Sequence, residues 1–225
     1  VNPNAPAFVL NADTIAAGST SGEVASATSN GTYATLVGAN DGPHGDAWIM
    51  VQNAPIQRAQ YVVIKYRTTV DRDGQIFIGS KGGPSGSGDC PMIDYTSDGN
   101  WQLAIVDLAQ ESITSVDKET YEIAYLRYDF FTNGKDDATI EVGYIAAFNS
   151  IEAAQAYDAK LAGIYRYMIK SEEEQVVTLR DELEFVRMYV DLLKVRFPEG
   201  LEVNIEVPDE TMARYVLPCS IQLLI

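Results

Sequence analysis

Near residue 150 the hydrophobic period of this chain changes, and that change limits its architecture more than any other feature. Up to Phe148, apolar residues fall in short runs that alternate with polar ones. Such a period of two is the mark of a strand with one buried face. Beyond it, Ile151, Ala154, Tyr157 or Asp158, Leu161, Ile164 or Tyr165, and Met168 recur at helical spacing. No run of Gly, Ser or Pro separates the two patterns. The chain must therefore build a sheet structure first and helices after it. We place the join between Tyr157 and Leu161, which divides the chain into parts 1–157 and 158–225.

Within the first part, strands are expected at Ala7–Leu10, Tyr33–Val37, Ala47–Gln52, Tyr61–Thr69, Gln75–Gly79, Trp101–Leu108, Tyr121–Phe131 and Ala138–Phe148. In Tyr61–Thr69 the alternation sets Lys65 and Arg67 on one face and Val62, Ile64 and Tyr66 on the other. Asn30-Gly31, Asp41-Gly42 and Asp71–Gly74 read as turns, because Asn, Asp and Gly tolerate a positive φ. Short strands at fairly regular spacing with turns between them predict a mainly β fold, a jelly-roll-like antiparallel β-sandwich.

Charge narrows the partners. Sixteen basic against 32 acidic residues leave a net charge of −16. A chain so acidic is a poor match for nucleic acid or an anionic membrane surface. The longest acidic run is Glu172–Glu174, so the charge reads as a solvated surface rather than a tail. No stretch approaches the ~18 apolar residues a membrane-spanning helix needs. Cys90 and Cys219 lie far apart in unlike segments, which is neither a disulfide framework nor metal-ligand spacing. The sequence begins at Val1 rather than Met, as a processed or excised piece would.

The segments DGNWQLAIVDLA (98–109), YLRYDFF (125–131) and ATIEVGYIAAFNSIEAA (138–154) resemble β-sandwich modules of the galactose-binding-like, carbohydrate-binding type. The resemblance spans about residues 45–157 and implies glycan binding outside the cell or at its surface. It directs attention to Trp48, Tyr95 and Trp101. An aromatic ring offers an apolar face to a sugar while neighbouring polar groups hold the hydroxyls. Core placement is the competing reading for both tryptophans and is weighed ahead of stacking. Tyr95, in a loop-like stretch, is expected to be the exposed one.

Other features carry less chemistry. The loop Gly79–Gly88 lacks the order of a phosphate-binding loop and no helix pattern follows it. The loop carboxylates Asp41, Asp46, Asp71, Asp73, Asp89, Asp94 and Asp98 could contribute oxygens to a structural calcium ion, but no calcium-loop motif occurs. No cofactor is expected otherwise. His44, the sole histidine, sits in the turn GPHGD with no catalytic context.

The helical part holds the strongest signature. Thr178 can cap a helix with Asp181 at its third position. Leu179, Leu183, Val186, Val190, Leu193 and Phe197 form its apolar stripe, widened by Phe185, Met188 and Leu192. Arg187 and Asp191 are spaced as an exposed pair one turn apart, and Pro198 and Gly200 end the helix. LEVNIEV (201–207) alternates as a strand. LAGIYRYMIK, VTLRDELEFVRMYVDLLKVRF and LPCSIQLLI, in that order over residues 161–225, resemble the internal region of LytS/YesM-type sensor histidine kinases. The resemblance implies a cytoplasmic setting, and self-association through the 178–197 helix. The family's phosphoacceptor motif, PHFLFN-like, is missing, as are its Glu-Asn box and glycine-rich lid. Phosphoryl transfer needs a nucleotide cradle, a metal ligand and an acceptor, so no catalytic residue is assigned.

The sequence thus points to a non-catalytic binding module, carbohydrate-directed, joined to an incomplete kinase segment as in a fusion or chimera. The alternative is a piece of a two-component sensor kinase whose phosphoacceptor and ATP-binding parts are missing.

Overall fold

The computed structural model describes residues 6–21, 23–39, 47–52, 59–79, 89–123, 125–132, 138–196 and 201–224. His44, Asp41, Asp46, the loop 80–88 and the expected helix end at Phe197, Pro198 and Gly200 lie outside them. The chain divides into two compact units, Pro6–Ile151 and Glu152–Ile225. The helix that opens the second unit begins at Ile151, ahead of the expected join.

In the first unit the order is β1 (Phe8–Asn11), α1 (Ala12–Ala16), β2 (Ser19–Thr20), β3 (Val24–Ser29), β4 (Ala34–Gly38), β5 (Ala47–Gln52), β6 (Tyr61–Thr68), β7 (Asp73–Gly79), β8 (Met92–Asp94), β9 (Gln102–Asp107), β10 (Tyr125–Phe131) and β11 (Thr139–Phe148). One antiparallel sheet runs β3-β4-β11-β6-β9, with β1 also paired to β11. We call it the first sheet. The second sheet runs β2-β5-β10-β7-β8. From β4 to β7 the chain changes sheet at each strand, and again at β9, β10 and β11. Apart from the β3–β4 and β7–β8 pairs, each sheet is therefore zipped from strands that are not consecutive in the chain.

The two sheets share one core. Leu36, Ile64, Ile140 and Ile145 enter it from the first sheet, and Ile49, Ile76, Ile78, Leu126, Tyr128 and Phe130 from the second. This is the mainly β, antiparallel sandwich that the alternation predicts. On β6, Val62, Ile64 and Tyr66 are buried while Lys65 and Arg67 are half-exposed, as their parity requires.

Strands β2, β3 and β8 were not expected, and other elements depart from expectation. The strand expected to begin at Tyr121 begins at Tyr125, and Tyr121 takes a left-handed φ of 49° that no strand accepts. The turn read at Asp71–Gly74 ends earlier: Gly74 is the second residue of β7 and faces inward. The ring of Tyr95 lies against its backbone, and a Cβ at Gly74 would sit 2.1 Å from the Tyr95 hydroxyl oxygen. The short helix α1 had no periodicity long enough to show; Asn11 caps it by accepting the Thr14 amide.

The second unit holds α2 (Ile151–Glu173), β12 (Val177–Thr178), α3 (Leu179–Arg196) and β13 (Tyr215–Val216), with β12 and β13 antiparallel. The Thr178 hydroxyl accepts the Asp181 amide at 3.2 Å and donates to the Asp181 carboxylate at 2.8 Å, so the expected cap is present. Leu183, Phe185, Val186 and Val190 are buried. Phe185, Val186 and Val190 pack with Ile164 of α2, and Val203 and Ile205 close over them. Asp191 does not pair along its own helix with Arg187; it takes Lys160 of α2 at 2.6 Å. LEVNIEV keeps its alternating exposure but forms no ladder among the described residues. Its Val203 and Ile205 side chains pack against the α2–α3 cluster instead. Among the described residues, no helix is long and apolar enough to cross a membrane.

Candidate functional site

Alternation decides which side chains leave the core, and register decides which of them meet. On β5, Ala47 and Ile49 face in and Trp48 faces out. Across the ladder Trp48 stands opposite Asp129 of β10, which stands opposite Gln75 of β7. One row along, Met50, Arg127 and Phe77 are aligned. The outward face of the second sheet therefore gathers two aromatic rings and three polar side chains from three adjacent strands.

Arg127 organises this face. Its guanidinium lies 3.9 Å from the Phe77 ring centre and 5.2 Å from that of Trp48. It forks onto Asp129, donating from Nε to Oδ1 at 2.7 Å and from Nη2 to Oδ2 at 2.5 Å. Asp129 is 1% exposed, so its charge is tolerated only because it is paired. Gln75 is held by its amide donating to the Cys90 carbonyl at 2.9 Å. Trp48 and Phe77 remain half-exposed. Rigid rings beside fixed donors and acceptors can take a ligand with both an apolar face and hydroxyls.

Trp101 is on the other side of the sandwich. It precedes β9 on the outward face of the first sheet, with Tyr33, Lys65, Arg67 and Glu141. The structure thus separates Trp48 from Trp101 and brings neither to Tyr95. Both tryptophans are half-exposed rather than core residues.

Tyr95 corrects the expectation of exposure: it is 9% exposed and belongs to the core. Its hydroxyl meets that of Tyr128 at 2.5 Å, and its ring is 4.7 Å from Tyr66 of the facing sheet. Burial holds its ionisation well above the ordinary phenol value. The loop-like sequence around it is a loop, but the inward ring spans the gap between the sheets.

Arg127 and Phe77 were not singled out in the sequence. Their signal was an arginine and an aspartate at every second place of the apolar run YLRYDFF, and an aromatic out of phase with Ile76 and Ile78.

Two of the loop carboxylates, Asp89 and Asp98, bond backbone amides. Asp89 accepts the Thr114 and Ser115 amides at 2.6 and 2.8 Å, and Asp98 accepts the Asn100 amide at 2.8 Å. These bonds, the backbone amide foremost, lower the Asp98 pKa. Among the described residues, no three of His, Cys, Asp and Glu group as metal ligands. No disulfide joins Cys90 and Cys219.

Residues 139–201 match the family model "Histidine kinase". That match starts in β11 and runs through α2 and α3. Among solved structures, "BiXyn10A CBM1 APO" is similar over 65% of this chain and 99% of its own, with 12% identity and a TM-score of 0.43. "CBM4 structure and function" is similar over 62% and 85%, with 15% identity and a TM-score of 0.36. No curated protein matches the chain.

Proposed function

We propose that the sandwich is a non-catalytic carbohydrate-binding module whose ligand lies on the outward face of the second sheet. The observation that carries this reading is the Arg127 constellation: Trp48 and Phe77 flank a guanidinium locked onto a buried carboxylate, on an outward sheet face. Trp48 supplies the stacking surface. Arg127 and Gln75 supply polar contacts whose positions are set before the ligand arrives, which lowers the ordering cost of binding. Arg127 and Asp129 cancel in charge, so the ligand suited to this face is a neutral glycan.

The test is a glycan array of neutral oligosaccharides with the full chain, followed by affinity gel electrophoresis of Trp48→Ala. Loss of the ring should weaken binding about tenfold or more, the equivalent of ~1.4 kcal/mol, with the circular dichroism of the fold unchanged. A blank array overturns the reading, and so does a Trp48→Ala chain that binds as before.

A second reading, a piece of a sensor histidine kinase, is favoured by the family match over residues 139–201. The α2–α3 hairpin would then be its internal region. Binding of a labelled ATP analogue by the full-length gene product would favour it, and failure to bind would count against it.

A further inference from the structure

The face that gathers Arg127 continues one strand further, to β8 at the end of the second sheet. Trp48 of β5 stands opposite Asp129 of β10, Asp129 opposite Gln75 of β7, and Gln75 opposite Met92 of β8. The four positions share one parity, since Ile49, Tyr128, Ile76 and Ile93, each next to one of them in the chain, are all buried. Met92 is 50% exposed, more than any other large apolar side chain described in the first unit. A lone exposed methionine needs no explanation, but this one closes a row that Trp48 opens. The middle of the row is polar. Asp129 is buried and forked by Arg127, and Gln75 donates to the Cys90 carbonyl. The row therefore has an apolar contact at each end and fixed hydrogen-bonding groups between them.

Resting on the carbohydrate reading above, we propose that this row binds four consecutive residues of a neutral β-1,4-linked glycan laid across the strands, with Met92 as the contact for the last. Neighbouring strands are ~4.8 Å apart, so Trp48 and Met92 stand roughly 14 Å from each other across the sheet. One residue of an extended β-1,4-linked pyranose chain is close in length to one strand spacing. Laid along the row, such a chain sets successive sugars on successive strands. The first stacks on Trp48, the next two turn hydroxyls to Arg127 and Gln75, and the fourth rests its C–H face on the Met92 thioether. A thioether is polarisable, and its unbranched stem adapts to the ring it meets. A glycan running along a strand would touch Trp48 or Met92 but not both, because they lie on strands at opposite ends of the row. The coiled chains that α-1,4 linkage gives do not keep a straight step over this length.

The test is calorimetric titration of the full chain with cello-, xylo- and manno-oligosaccharides of two to six residues. In the series that binds, affinity should climb with length to four residues and then level off. Met92→Ala should erase the last gain, about fivefold between three and four residues, without changing the affinity for three. Met92→Leu, which keeps the apolar surface, should retain that gain. Met92 is exposed on an end strand, so neither substitution disturbs the core. A plateau at two or three residues, a rise that continues past four, or a Met92→Ala chain that keeps the gain overturns the inference. So does a lack of binding by all three series, while the glycan array alone decides the reading beneath it. A plateau at two residues, with binding still lost in Trp48→Ala, would overturn the four-residue length and leave that reading standing.

Discussion

A methyl group at position 74 would have nowhere to go. The Tyr95 hydroxyl and ring carbons would lie 2.1 to 2.9 Å from it, and Tyr95 cannot retreat because Tyr128, Tyr66 and Phe131 hold its ring. Gly74→Ala should therefore destabilise the sandwich by about 1–3 kcal/mol, the usual cost of overpacking a tight core. Urea unfolding would show it as a lower midpoint at unchanged slope; an unchanged midpoint would mean that the ring has room to shift. In sequence the same glycine read as part of a turn, because Asp-Arg-Asp-Gly has turn composition. Only the tyrosine twenty-one residues further on explains why a glycine sits in that strand. The same limit applies to the candidate site. Trp48 and Trp101 were legible as large rings in short strands, but no local pattern states which sheet a strand joins.

At the scale of elements, the second unit is tied together by one carboxylate. Glu182 of α3 is fully buried. Its Oε1 accepts the Ile221 amide at 3.0 Å, and its Oε2 accepts the Cys219 amide at 2.9 Å and the Tyr167 hydroxyl. Cys219 holds a left-handed φ of 57°, a conformation that a non-glycine residue keeps only when its surroundings enforce it. Glu182→Ala should leave the part-buried Cys219 and Ile221 amides without their acceptor, at up to ~1–3 kcal/mol for each donor that water does not reach. Hydrogen exchange would then be much faster at those two amides while the α3 amides near Val186 stay protected. Equal protection at 219 and 221 would show that the carboxylate does not hold the segment. From sequence, α3 was readable in its cap and stripe, since both are local. Glu182 was not, because one charged residue beside an apolar stripe ordinarily faces water.

Across the whole molecule, the excess of acidic residues acts on stability. With a net charge of −16, self-repulsion opposes the compact state. Raising salt from about 0.01 to 0.15 M shortens the screening length from ~30 to ~8 Å. The melting temperature should rise over that range; a flat or falling one would mean that the charge is too dispersed to strain the fold. The two compact units also account for the two patterns in the chain. A sandwich drawn from alternating strands and a hairpin drawn from helical stripes each close their own hydrophobic cluster.

The sequence by itself determined the mainly β first unit, most of its strands, the parity of β6 and the capped amphipathic helix α3. All of these follow from spacing within a dozen residues, where backbone geometry alone relates one side chain to the next. Tertiary structure decided the rest. It buried Tyr95 between the sheets, gave Asp191 to Lys160 rather than Arg187, and left 201–207 without a ladder. It also set Trp48 and Trp101 on opposite faces and assembled the Arg127 and Arg67 clusters from strands far apart in the chain. Those outcomes depend on strand order and register, which are settled by the joint packing of residues that no local window contains.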